Sequence, residues 1–139
     1  MAATTRERLT EFFGNVPARG TFPIAANTKV LKGTLVGLDS TGRVKPAGDG
    51  ATTILGMTSA NYSSLDGTTT DQDVEIEYGT FGWNNAPGEL AVEASDVGSN
   101  CYVLDNQTVS KTGTVVAGVV VDVRNGAVRV WSGPFGYGG

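Results

Sequence analysis

The sequence has no histidine and a single cysteine, Cys101, in 139 residues, and each shortage excludes a class of chemistry. Without histidine, Ser-His-Asp and Cys-His nucleophile systems and His-zinc sites cannot be built from this chain. One cysteine makes no internal disulfide and no multi-cysteine metal site, which suits a reducing cytoplasm. Long apolar runs are also missing. The longest, Val115–Val121, falls well short of the roughly 20 residues that span a bilayer as a helix. Residues 1–20 lack the unbroken apolar stretch of a signal peptide, because Arg6, Glu7, Arg8 and Glu11 interrupt it. The residues therefore predict no cofactor, no metal and no membrane contact. What the chain does have is 40% hydrophobic residues, enough for the core of one compact domain, and 20 glycines to punctuate it.

The first 27 residues read differently from the rest. Thr4 and Glu7 have capping-box spacing, and Leu9, Phe12 and Phe13 then fall at i, i+3 and i+4 before Gly14-Asn15. This predicts a helix of about two turns, too short to persist without something to lie on. Residues 15–27, with Pro17, Gly20 and Pro23, read as extended. Two readings stand: an arm folded back on its own domain or frayed, and an arm that orders on a neighbouring subunit.

From Thr28 the apolar period becomes two, with turn signals every 8–12 residues or so, the pattern of an all-β sandwich or barrel. Lys29–Leu38 and Arg43–Lys45 flank the turn Asp39-Ser40-Thr41-Gly42, and Thr53–Ala60 reads as a third strand. Asp73–Phe81 alternates, with Val74, Ile76 and Tyr78 on one side. Leu90–Val92, Cys101–Leu104 and Thr108–Val109 are shorter candidates, with Asp105-Asn106 a turn between the last two. The sharpest signal is Asn125-Gly126, whose type I′ turn needs φ > 0 at both positions. It predicts a hairpin of Val115–Val123 and Ala127–Trp131 that pairs Arg124 with Ala127, Val123 with Val128, Asp122 with Arg129 and Val121 with Val130. The expected architecture is a compact antiparallel barrel or sandwich of about 8–10 short strands over residues 28–132. An arm (1–27) precedes it, and a Gly-rich aromatic tail (133–139) follows. Phe135 and Tyr137 in that tail are costly to leave in water.

Candidate chemistry is thin. Asp71, Asp73, Glu75 and Glu77 lie on one strand face, whereas a glycosidase needs two carboxylates facing across a cleft about 5–10 Å apart. A solvated outer face that discourages edge pairing explains them without chemistry. Cys101 has no adjacent base and reads as a small core residue. Gly48-Asp49-Gly50 is followed by no Gly-Lys-Ser/Thr, so it is no phosphate loop. Trp83 and Trp131 read as core or interface residues, or as a sugar platform. Residues 1–45 carry seven Lys/Arg against three Asp/Glu, and residues 46–139 carry three against eleven. A basic front on an acidic body argues against direct nucleic-acid contact and suits docking on acidic protein surfaces, another copy included.

Four segments carry a family resemblance: Lys32–Ala47, around Gly37-Leu38-Asp39-Ser40-Thr41-Gly42; Ile54-Leu55-Gly56-Met57; Cys101–Ser110, around Tyr102-Val103-Leu104-Asp105; and Val115–Val120. Over roughly residues 28–132 the chain resembles the capsid cement, or head decoration, proteins of tailed bacteriophages. The resemblance implies a barrel-like β domain made in the host bacterial cytoplasm and attached to the outside of the virion head. It would bind the major capsid protein and assemble with itself, a trimer ahead of a dimer, with no catalytic residue. The expected interface residues are Leu9, Phe12, Phe13, Phe22, Trp131, Phe135 and Tyr137. Two other classes remain: a carbohydrate- or receptor-binding β module using Trp83, Trp131 and Tyr137, and, more remotely, a carboxylate-only hydrolase.

Overall fold

The structure, a computed structural model, describes residues 19–65 and 72–134. The helix expected in the first 15 residues, Asp71, Phe135 and Tyr137 lie outside the described residues. What is described is all-β. Its strands are β1 Arg19–Pro23, β2 Lys29–Val30, β3 Leu35–Leu38, β4 Val44–Pro46, β5 Thr53–Thr58, β6 Tyr62–Ser63, β7 Asp73–Glu77, β8 Gly79–Asn85, β9 Asn100–Val103, β10 Thr108–Ser110, β11 Val116–Arg124 and β12 Ala127–Ser132. Two single turns of 3-10 helix, Gly88–Leu90 and Ala94–Asp96, are the helical content of the described residues.

The strands form two five-stranded units and a small β2–β6 ladder. The first unit has the order β1-β7-β5-β3-β4, and the second closes into a barrel, β10-β8-β12-β11-β9. Strand by strand, the two are the same object. β3 pairs antiparallel with β4 as β9 does with β10, Leu38 facing Val44 and Val103 facing Val109. β5 meets β3 with one extra residue, Leu55, just as β11 meets β9 with Ala117. Met57 then faces Glu77 as Val119 faces Trp131, and Thr58 faces Ile76 as Val120 faces Val130. The outer pair repeats too, with Phe22 opposite Val74 and Trp83 opposite Val128. Even the closing contact is shared. Val109 runs parallel beside Asn85 in the second unit, and in the first a parallel bridge joins Ile24 to Val44. The next amide bonds likewise in each, Ala25 N–H to Val44 O and Ala86 N–H to Val109 O.

Close backbone approach explains the glycine that both units keep after the bulge. A Cβ on Gly56 would strike the carbonyl oxygen of Glu77, and one on Gly118 that of Trp131. Those two carbonyls occupy equivalent positions. A bulge with glycine beside it bends the strand sharply, which is what a small five-stranded closure requires.

Each unit has its own interior. Ile24, Val30, Val36, Val44, Leu55, Val74 and Ile76 fill the first, and Cys101, Val109, Ala117, Val120, Val128, Val130 and Trp83 fill the second. Leu35 and Ile54 lie on the outside of the first unit, yet are buried because they join the second unit's core, with Met57 packed beside them. β3 and β5 thus have apolar cover on both faces, which accounts for the unbroken apolar runs Leu35-Val36 and Ile54-Leu55.

Several expectations need correction. The expected arm ran to residue 27, but from Arg19 the chain belongs to the first unit, because β1 pairs with β7 along its whole length. Lys29–Leu38 is two strands, broken where Gly33 takes a φ of 79°. Asp73–Phe81 also breaks, at Tyr78, so that β7 ends one unit and β8 begins the next. Leu90–Val92 is not a strand. Asn85 replaces a strand partner there, accepting from Val92 N–H at 2.8 Å and donating to Val92 O at 2.9 Å. The last hairpin keeps three expected pairings, with Asn125 and Gly126 at φ 50° and 79°. A bulge at Val121 then moves Val130 opposite Val120. The ladder is antiparallel throughout except for the β10–β8 pair and the Ile24–Val44 bridge.

Candidate interaction surface

Of the expected interface residues, the described ones are Phe22 and Trp131, and the fold treats them differently. Phe22, half-buried on β1, packs on the first unit's own core at the position that Trp83 holds in the second. Trp131 stands between Val130 and Ser132, both wholly buried, so strand alternation turns its indole to the outside.

Around Trp131 the second unit presents a continuous outer face. Val119 lies opposite both Trp131 on β12 and Asn100 on β9, and Val116 lies opposite Tyr102. All five are half-buried. Val121, pushed out by its bulge, is 46% exposed beside them along β11. At the hairpin end of this face Asp122 Oδ2 lies 2.9 Å from Arg124 Nε and 3.7 Å from Arg129 Nη1. One carboxylate between two guanidiniums leaves a net positive rim. Such exposed pairs contribute little to stability, so the rim's field is its main physical effect.

The first unit presents the opposite sign. Asp73, Glu75 and Glu77 share the outer face of β7, with Arg19 Nη1 3.0 Å from Glu75 Oε1. Arg129 and Glu75 are equivalent positions of the two units, each two places before the residue whose carbonyl meets the bulge glycine, Trp131 and Glu77. Three acidic groups against one arginine make this face negative.

The two tryptophans do not meet as a platform. Trp83 is 5% exposed inside the second unit, its ring edge-on to Phe81 at 6.3 Å and 63°, while Trp131 faces outward. The Trp83 indole N–H finds no acceptor among the described residues. Cys101 is fully buried, and burial pushes its thiol up to about 12, where no thiolate forms near neutrality. Among the described residues no three His, Cys, Asp or Glu side chains converge as a metal site.

The β3–β4 turn is ordered by one carboxylate. Asp39 Oδ1 accepts from Thr41 Oγ1 at 2.6 Å, Thr41 N–H at 2.8 Å and Arg43 N–H at 3.1 Å. The Thr41 hydroxyl, followed by the Arg43 amide, holds this acid below its ordinary range despite its exposure.

No known protein family, characterised protein or solved structure matches the chain.

Proposed function

We propose that this chain is a capsid decoration protein, binding the outer surface of a phage head and stabilising contacts between capsomers. The observation that carries the reading is where the resembling segments fall. Lys32–Ala47 and Cys101–Ser110 contain the β3–β4 and β9–β10 hairpins, which are equivalent elements of the two units. Ile54–Met57 lies within β5 and Val115–Val120 takes in the first part of β11, in each case the stretch that carries the bulge towards the hairpin. The resembling segments therefore fall on the same three-strand part of each unit, β3-β4-β5 and β9-β10-β11, and not on scattered loops. A doubled β body with two cores resists deformation, and its outer face offers Trp131 and Tyr102, side-chain types enriched at protein interfaces. Many weak contacts suffice when copies bridge a lattice, because avidity multiplies them.

Purified chain mixed with undecorated heads and pelleted tests the reading. Saturable co-sedimentation and heads that survive higher temperature are expected. Heads that pellet without the chain, and melt unchanged, overturn it.

A further inference from the structure

The repeat exposes an imbalance between its two halves. In the first unit the outer positions Leu35 and Ile54 are covered by the second unit, at 0% and 1% exposed, and Met57 packs half-buried beside them. Their equivalents in the second unit, by strand pairing, are Asn100, Val116 and Val119. These lie only half-buried, with Tyr102 and Trp131 beside them. Stacked repeats bury such a face against the next repeat, and an open terminal face is normally polar. Here it carries valine, tyrosine and tryptophan.

We propose that this face is an interface for a second copy of the chain, with Tyr102, Val116, Val119 and Trp131 at its centre and Arg129 at its rim. It docks on the outer β7 face of the next copy's first unit, where Asp73, Glu75 and Glu77 lie. Two observations select that occupant. The equivalent face inside the chain is already covered by a β unit of the same build. The charges also complement each other, since Arg124 and Arg129 outnumber Asp122 on one face, while three carboxylates outnumber Arg19 on the other. The contact joins unlike faces, so successive copies run head to tail and close as a ring when the rotation permits. Its purpose rests on the decoration reading, but its test uses the purified chain without heads, so the two fail separately.

Sedimentation of the full chain over a concentration series, at low and high salt, reads the interface. Reversible association weakened by salt is expected. Val119→Lys places a charge at the apolar centre and raises the dissociation constant by about tenfold or more. Arg129→Glu and Asp73→Lys, both at exposed positions, each weaken association, and the double variant restores it. Unchanged heat transitions of these variants exclude misfolding as the cause. A parent chain that stays monomeric at every concentration overturns the proposal. So do variants that associate like the parent. A double variant as weak as its parents overturns the head-to-tail pairing.

Discussion

Gly118 backs onto the carbonyl oxygen of Trp131 as closely as Gly56 backs onto that of Glu77, so each unit is bent at the same place by the same device. The obstacle at each position is backbone on the neighbouring strand, which cannot rotate away as a side chain can.

Gly118→Ala should therefore cost about 2–4 kcal/mol in denaturant unfolding, the upper part of the range for single substitutions. Gly42→Ala is the control. Its φ is 82° but nothing lies within 4 Å of the added methyl. Only the left-handed backbone is penalised there, at about 1 kcal/mol. Equal costs at the two sites would contradict the close-approach account.

The Cys101 thiol gives an alkaline signature. Its proton is held in the folded state up to about 12 and is released near the ordinary value of 9.0 once the chain unfolds. A raised folded pKa means that its contribution is complete below pH 9 and is lost as pH rises from 9 towards 12, by at most about 1.4 kcal/mol per pH unit. Cys101→Ala should remove this loss, so that the variant's stability curve is flatter than the parent's in that window. In the native protein at neutral pH, a thiol reagent should label Cys101 only as fast as the barrel opens.

Asp39 gives the acid counterpart. Its lowered pKa contributes stability above the ordinary value of 3.8, lost as pH falls through the folded midpoint. The carboxyl resonance of Asp39 should titrate below 3.8, and Thr41→Val, which removes its strongest donor, should bring it back up. An unshifted midpoint in the parent protein would remove the three-donor turn from the account.

Asn85→Ala leaves the N–H and C=O of Val92 without their side-chain partner, one of several ties between residues 86–99 and the barrel. A loss of about 1–3 kcal/mol is expected, with hydrogen exchange accelerated first at Val92.

Much of this body was legible because its signals are local. Asn125-Gly126 fixes its turn by φ alone, and the alternation of Val74 and Ile76 against Asp73 and Glu75 marks β7 without any tertiary knowledge. The bulge at Val121 was hidden, since a run of valines reads the same in either register. So was the repeat. Phe22 answers Trp83, Val36 answers Cys101, Leu55 answers Ala117 and Thr58 answers Val120, so volume and polarity change while the pairing persists. Ala25 with Ala86, Val44 with Val109, Gly56 with Gly118 and Val74 with Val128 are the identities these pairings give, too few and too common in type to show a period. The outer face was half-legible. The outward position of Trp131 follows from strand alternation alone, but Tyr102, Val116 and Val119 join its face only through pairings between distant strands. Phe22 looked equally available, and only the fold turns it towards its own core.

Electron cryomicroscopy of heads incubated with the purified chain tests the central claim most directly. Two adjoining five-stranded β lobes should be resolved on the outer surface of the shell, at a fixed position between capsomers. A shell that remains bare at saturating concentration of the chain would contradict it.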